Sequence, residues 1–278
     1  MTNNKVIKLG ISTCPNDTFM FDALIHQKID TKGYTFDVTM ADVEELNKMA
    51  FNNVLDMTKM SYAQYLNIKE NYQLLTSGSA LGNNNGPLLI SKRKIYPDEI
   101  KDISIAIPGI NTTANLLMSD AFPEAKNKRE YLFSDIEEAI LTNEVDAGVI
   151  IHETRFTYYK RGLKLIADLG KVWQEKTNLP IPLGGIVIRR EFDSETKNEI
   201  NKLLSKSIQF AFDNPDESYK FVKNNAQNMA DDVMFNHIRL YVNSYSKAIT
   251  DKGKDAVISL LKKHSLWDNS IATDNIFI

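Results

Sequence analysis

The fold of this chain is decided by one stretch, which reads GVIIHETRFTY from Gly148 to Tyr158. An apolar run from Ala147 to Ile151 ends abruptly at His152, and charged residues follow. Short β-branched apolar runs bounded by polar residues are typical of buried parallel strands, and ligands of open α/β sheets bind beyond the carboxyl ends of such strands. We therefore expect His152 at a ligand site, where an imidazole can exchange a proton near neutral pH. The alternative is a strand-end histidine that only hydrogen-bonds a loop.

Composition and charge narrow the class of protein. The 278 residues are 43% apolar and 25% charged, as in an ordinary soluble globular protein of one large or two smaller domains. A net charge of −3 gives no basic field for nucleic acid or an anionic membrane. The single cysteine, Cys14, suits a reducing cytosol, and neither a signal peptide nor a bilayer-spanning stretch is evident. We expect a cytoplasmic protein.

Two strand-to-helix turns in the first part of the chain carry polar side chains. The first follows a strand at residues 5–12, and there Asn16 or Asp17 can cap the next helix. The second is the segment Lys59-Met60-Ser61, where Ser61 would be an N-cap. Free backbone N–H groups, an ammonium and a hydroxyl suit a carboxylate ligand. A solvated lysine and ordinary helix caps are the alternative interpretation.

A third turn lies between a strand at residues 103–107 and a helix that begins near Ala114. It holds Thr112 and Thr113, whose paired hydroxyls could bind a carboxylate or a hydroxyl-bearing ligand. Simple capping would use only one of the two threonines. If this third turn and His152 belong to one lobe, and the first two turns to another, the three turns and His152 all face one cleft.

Cys14 allows two interpretations. A helix start can favour a reactive thiolate, but no partner base is evident near it in sequence, so we predict a packed, inert thiol.

Metal and nucleotide chemistry are not indicated. The four histidines, His26, His152, His237 and His264, form no i, i+4 pair, and no Walker, dinucleotide or nucleophile-elbow motif is present. The glycine- and asparagine-rich segment 78–87 matches no nucleotide motif and is predicted to be a flexible linker or lid. Any chemistry should therefore be cofactor-free proton transfer.

Strands and helices alternate along most of the chain and helices close it, which predicts an α/β protein of two lobes. We assign residues 1–91 and 189–278 to a larger lobe and residues 92–188 to a smaller one. Within the smaller lobe we expect a strand at residues 131–133 and a rigid proline-rich loop at residues 179–185.

Several segments together resemble 1,4-dihydroxy-6-naphthoate synthase, an enzyme of the futalosine route to menaquinone. The resemblance runs from about residue 10 to residue 243, and the combination is specific although each motif alone is not. Its segments are STCPNDTF (12–19), TKMS (58–61), PG (108–109) with TTA (112–114), HETRFTY (152–158), PIPLGG (180–185) and HIRLYVN (237–243).

The resemblance implies a two-lobed, periplasmic-binding-protein-like fold of type II with a ligand cleft between the lobes. It implies a lyase that converts cyclic dehypoxanthinyl futalosine, a small-molecule carboxylate, to 1,4-dihydroxy-6-naphthoate without a cofactor or metal. His152 matches the catalytic base. Lys59, Met60 and Ser61 match one substrate-contacting segment, and Thr112 and Thr113 match the other; Asn16 is added from its helix start.

Two other functions fit the same fold. One is a non-catalytic solute-binding or sensing protein, which would not need a titratable histidine at a strand end. The other is the related chorismate dehydratase, which is expected to lack the HETRFTY segment. The sequence leaves the oligomeric state open.

Overall fold

Two β-sheets with helices on their faces form the computed structural model, which describes residues 5–226 and 229–278. The strands are β1 (Lys5–Ile11), β2 (Tyr34–Met40), β3 (Met57–Ser61), β4 (Tyr72–Leu74), β5 (Ala80–Gly82), β6 (Leu88–Ser91), β7 (Ile105–Ile107), β8 (Lys128–Glu130), β9 (Ala147–Ile150), β10 (Lys164–Asp168) and β11 (Ile181–Arg189). The helices are α1 (Pro15–Ile25), α2 (Val43–Phe51), α3 (Tyr65–Ile68), α4 (Thr113–Ala121), α5 (Ile136–Leu141), α6 (Leu169–Thr177), α7 (Ser194–Asp213), α8 (Pro215–Asn225), α9 (Asp231–Tyr241), α10 (Ser244–Lys247) and α11 (Asp251–Leu261). Among the described residues, no helix combines the length and apolar content needed to cross a membrane.

The six-stranded sheet has the order β2-β1-β3-β11-β4, and β5 pairs with β11. Strand β1 runs parallel to β2 and β3, whereas β11 runs antiparallel to β3. Because β1 and β3 point the same way, their carboxyl ends lie along one edge of the sheet. The chain leaves that edge into α1 and, after β3, into a short 3-10 helix that begins at Tyr62.

The five-stranded sheet has the order β10-β6-β9-β7-β8. Strands β7 and β9 are parallel, with Ile105 opposite Ala147, so their carboxyl ends also share an edge. Helix α4 follows β7, and His152 follows β9. The predicted α/β architecture is confirmed, and both sheets present polar strand ends of the kind expected from sequence.

Three predicted segments differ from the structure. The segment 78–87, predicted to be a flexible linker or lid, contains the buried strand β5. The strand expected at residues 131–133 lies instead at Lys128–Glu130, where it pairs with β7. Its side chains are charged and largely exposed, so this edge strand shows no apolar alternation in sequence. Residues 181–185 of the expected loop form the first part of β11, where the pairing with β5 shifts register after Pro182.

Sheet membership also differs from the predicted lobe boundaries. Strand β6 was assigned to the larger lobe but belongs to the five-stranded sheet, and most of β11 was assigned to the smaller lobe but belongs to the six-stranded sheet. We therefore propose that the chain crosses between lobes within residues 83–87 and 178–180. The two sheets are not independent, because one apolar cluster extends from Met60 and Leu81 to Leu89 and Val149.

A glycine within β9 sets the distance between the strand and helix α5. A Cβ atom at Gly148 would lie 2.5 Å from Ile136 Cγ2 and 3.0 Å from Ile140 Cδ1, both buried. We predict that Gly148→Ala lowers the free energy of unfolding by about 1–3 kcal/mol through overpacking. Urea denaturation measures the change, with exposed Lys164→Ala on the edge strand β10 as the control. Equal stability of Gly148→Ala and the unsubstituted protein would contradict this packing.

Candidate active site

The cleft between the two sheets collects all seven residues predicted to form the site. Some come from the six-stranded sheet and some from the five-stranded sheet, so neither lobe makes the cleft alone. The predicted residues that line it are Asn16, Lys59, Met60, Ser61, Thr112, Thr113 and His152.

His152 stands one residue beyond Ile151, at the start of a short 3-10 helix that ends at Phe156. Its backbone φ is +59°, in the left-handed region, which is costly for a residue with a Cβ atom and recurs at functional sites. Its Nδ1 lies 3.6 Å from Cys14 Sγ of the opposite lobe. The edge of Phe133 and the ring of His237 flank the imidazole, with centroid distances of 5.0 Å and 6.0 Å.

Burial controls the protonation of the pair formed by His152 and Cys14. Desolvation lowers the pKa of His152 below its ordinary 6.5, although the neighbouring Glu153 acts in the opposite direction. Desolvation also raises the pKa of Cys14 to about 12, so the thiol stays protonated. Although no base lies near Cys14 in sequence, the fold brings His152 into contact with it. The raised pKa of Cys14 is what favours an unreactive thiol.

A buried ion pair lies on the opposite wall of the cleft. Lys59 Nζ is 3.1 Å from Asp17 Oδ1, and the side chains are 7% and 0% exposed. The backbone N–H and hydroxyl of Ser12 both donate to Asp17 Oδ2, at 3.1 Å and 2.7 Å. Lys59 is therefore not the solvated lysine of the alternative interpretation. Its charge is balanced by Asp17, and two of its three N–H groups have no partner among residues 5–226 and 229–278, which leaves them for a ligand.

Asn16 has both amide atoms engaged within the protein. Its Nδ2 donates to Asp17 Oδ1 at 2.8 Å, and its Oδ1 accepts from His237 Nε2 at 3.0 Å. Because Nδ2 is the atom that donates to Asp17, the other amide atom, Oδ1, is the one that accepts from His237. This arrangement orients His237 beside His152, whereas direct substrate binding by Asn16 stays a prediction.

The two threonine hydroxyls are not free for a ligand. Thr112 Oγ1 caps α4 by accepting from Asn115 N at 3.2 Å. Thr113 Oγ1 donates to Leu183 O at 2.6 Å and accepts from Ala63 N at 3.2 Å, which ties α4 to the six-stranded sheet. Thr113 thus joins the two lobes, whereas Thr112 bonds within its own lobe. Backbone N–H groups in the first turn of α4 have no partner among the described residues and suit an anion.

The side chain of Ser61 is held by the amide of Asn47 instead of bonding to the helix that follows. Its N–H donates to Asn47 Oδ1 at 2.9 Å, and its Oγ accepts from Asn47 Nδ2 at 3.2 Å. Ser61 occupies the predicted N-cap position of the 3-10 helix that begins at Tyr62, but its side chain makes no cap bond. The hydroxyl hydrogen therefore has no partner among the described residues and is available to a ligand.

Sequence reasoning did not identify three further polar residues that line the cleft: Ser12, Asn85 and Tyr241. Burial raises the pKa of Tyr241 to about 12, and its ring lies 4.6 Å from that of His237. Tyr241 belongs to the HIRLYVN segment, so the resemblance contained the signal. Asn85 lies in the loop predicted to be a flexible linker or lid, but Asn85, Gly86 and Pro87 are buried.

A cleft between two α/β lobes, lined from both sides, defines a two-lobed protein of the periplasmic-binding-protein-like class. The structure is similar to the ligand-binding component of an ABC-type import system from Staphylococcus aureus with zinc bound, with a TM-score of 0.72 and 16% identity over 99% of this chain and 96% of that one. This likeness shows the fold alone.

Residues 7–265 match the family described as menaquinone biosynthesis, and the chain belongs to that family. It is 36% identical to a 1,4-dihydroxy-6-naphtoate synthase of Thermus thermophilus over 256 residues, which cover 92% of this chain and 93% of the relative. A protein of solved structure from Archaeoglobus fulgidus is 33% identical, with a TM-score of 0.87 and coverage of 93% and 96%. The resemblance found in the sequence is confirmed.

The buried ion pair gives a test of how the cleft wall is stabilised. Asp17→Asn leaves the Lys59 ammonium buried without a counter-charge, so we predict a loss of about 3–5 kcal/mol in unfolding free energy. The double variant Asp17→Asn/Lys59→Met should recover part of that loss because no unpaired charge remains. Urea denaturation at pH 7 provides the measurement.

The exposed pair of Asp30 and Lys32 is the matched control, and Asp30→Asn should change stability little. If the double variant were no more stable than Asp17→Asn alone, the uncompensated charge would not be the cause of the loss.

Proposed function

We propose that this chain is a lyase that converts cyclic dehypoxanthinyl futalosine to 1,4-dihydroxy-6-naphthoate in menaquinone biosynthesis. One observation carries the proposal: His152, with a lowered pKa, lines the cleft opposite the hydrogen-bond donors of Lys59 and Ser61. The name of the 36% identical relative from Thermus thermophilus supports the same activity.

The environment of His152 suits a general base. Because its pKa is lowered, the imidazole is neutral at pH 7 and can accept a proton. Its Nδ1 contacts Cys14 Sγ, which leaves Nε2 as the nitrogen available to the substrate. A proton on Nδ1, directed at the sulfur, is the tautomer that makes Nε2 basic. Nearby Glu153 and Asp17 favour the imidazolium that forms when Nε2 accepts a proton.

The reaction begins when His152 takes a proton from a substrate hydroxyl or from a carbon next to a carbonyl. Carbon–carbon cleavage of the retro-aldol type then releases the sugar-derived fragment, and formation of the aromatic naphthoate favours the products. Oriented hydrogen-bond donors stabilise the enolate oxygen. The proposal needs no cofactor because proton transfer and cleavage use only the substrate's own electrons.

The substrate carboxylate is bound by donors that the protein leaves unused. These are the remaining N–H groups of Lys59, the hydroxyl of Ser61 and the backbone N–H groups at the start of α4. Contacts between the lobes, such as the bond from Thr113 to Leu183, hold the cleft closed around the reacting groups. The lobes therefore separate to admit substrate and close to exclude water.

The deciding assay incubates the purified protein with cyclic dehypoxanthinyl futalosine, with no cofactor added, and follows naphthoate absorbance. Binding without turnover would identify a solute-binding protein instead. Turnover of chorismate, but not of the futalosine derivative, would identify a chorismate dehydratase. Cytoplasmic location stays a prediction, to be tested by fractionation of cells that express the protein.

The role of His152 is tested by substitution with a residue of similar polarity that cannot act as a base near pH 7. We predict that His152→Asn lowers kcat by about 10²- to 10⁴-fold, the usual contribution of a general base. The variant should unfold at a similar urea concentration and still bind substrate. His264→Asn, three residues beyond the end of α11 and outside the cleft, is the control. A His152→Asn variant with near-normal kcat would remove His152 from the mechanism.

The lowered pKa of His152 predicts the pH dependence of the reaction. The base must be unprotonated, so kcat/KM should rise with pH and level off once the pH exceeds the pKa of His152 in the free enzyme. Because burial lowers that pKa, the midpoint of the acid limb should fall below 6.5. Steady-state kinetics between pH 5 and 8 provides the measurement. A midpoint above 6.5 would show that a different group titrates.

A further inference from the structure

Asn85 is buried with its hydrogen-bonding capacity unused. It is 1% exposed, it lines the cleft, and neither its Nδ2 nor its Oδ1 has a hydrogen-bond partner among the described residues. A buried polar group without a partner costs about 1–3 kcal/mol, and nearly all such groups in proteins find one. Other polar residues that line the cleft, such as Asn16 and Ser61, are bonded within the protein. Asn85 thus has an amide ready for a ligand.

The loop that carries Asn85 is held from the five-stranded side. Arg155 Nη1 donates to Gly86 O at 2.8 Å, and Leu169 N donates to Pro87 O at 3.0 Å. A Cβ atom at Gly86 would lie 2.3 Å from Gly170 Cα, so the loop is packed directly against the start of α6. Arg155 belongs to the same short helix as His152, which couples the loop to the proposed base.

The amide nitrogen of Asn85 lies beside strand β5. A Cβ atom at Gly82 would lie 3.1 Å from Asn85 Nδ2 and 3.2 Å from Asn243 Nδ2, so these side chains fill the space beside β5. Asn243 Nδ2 already donates to Leu81 O at 2.9 Å. The side chain of Asn85 is therefore preorganised, which lowers the entropy cost of binding.

The chemistry of the amide selects the ligand group. Nδ2 only donates and Oδ1 only accepts, so a carboxylate would satisfy the first and be repelled by the second. A hydroxyl both donates and accepts, and two adjacent hydroxyls can satisfy both atoms of the amide. Asn85 therefore fits the hydroxyl-bearing part of a substrate better than its acidic part.

We propose that Asn85 binds hydroxyl groups of the sugar-derived fragment of the substrate, and this assignment rests on the function proposed above. The amide holds the fragment that leaves, while Lys59, Ser61 and the start of α4 hold the acid. Recognition of the two ends by separate groups positions the bond to be broken near His152.

The test compares Asn85→Ala and Asn85→Leu with Asn84→Gly. Asn84 is the adjacent exposed residue with φ of +57°, where glycine introduces no strain. Binding of cyclic dehypoxanthinyl futalosine is measured by calorimetry in the His152→Asn background, which prevents turnover, and KM is measured with His152 present. We expect both Asn85 substitutions to weaken substrate binding by about 10- to 100-fold. Affinity for 1,4-dihydroxy-6-naphthoate, which lacks the fragment, should change less than about twofold.

Stability without ligand separates binding from a structural role. Asn85→Leu removes an unsatisfied amide, so the protein alone should be as stable as before or more stable. Loss of stability with unchanged substrate affinity would overturn the proposal, as would an equal loss of affinity for substrate and naphthoate. If the unsubstituted protein neither binds nor converts the futalosine derivative, the proposed function fails and this assignment fails with it. An active protein whose KM is unaffected at Asn85 would refute the assignment alone.

Discussion

The arrangement of the cleft depends on the buried ion pair between Asp17 and Lys59. Asp17 comes from the first turn of α1 and Lys59 from β3. The pair therefore joins two elements through residues 42 positions apart in sequence. The same carboxylate accepts a hydrogen bond from Asn16 and so determines which way that amide faces. Asn16 in turn accepts from His237, whose ring stacks beside His152. One buried charge pair thus orients a chain of polar groups that ends at the proposed base.

The interior of the cleft is close to electrically neutral, and this has consequences for its chemistry. Burial keeps His152 and His237 unprotonated and Cys14 protonated, while Asp17 balances Lys59. A neutral imidazole can remove a proton without a permanent positive charge next to it. An anionic substrate is held by directed N–H and O–H donors instead of by an unpaired cation. Such preorganised donors are most effective in a site from which water is excluded.

Local patterns in the sequence predicted an element correctly where an apolar run or a capping residue marks it. The apolar run that ends at His152 and the cap at Thr112 are visible without the fold, and the structure contains both. The patterns failed at β8, whose charged residues lie on a sheet edge, and at the first part of β11, where proline and glycine mask the strand, although a strand from Gly185 to Arg190 is predicted correctly. At these two strands, pairing with distant strands decides the conformation, and propensity does not reveal it.

By itself, the sequence determined the α/β alternation, the family and the residues that stand at the strand ends. Only the tertiary structure decided which of their polar atoms remain free. Thr113 looked available but is bonded to Ala63 and Leu183, whereas Asn85 looked like part of a mobile loop but is buried and unpaired. The reason is that hydrogen bonds in the cleft join residues tens of positions apart. Whether each donor or acceptor is paired therefore depends on distances that no local sequence pattern encodes.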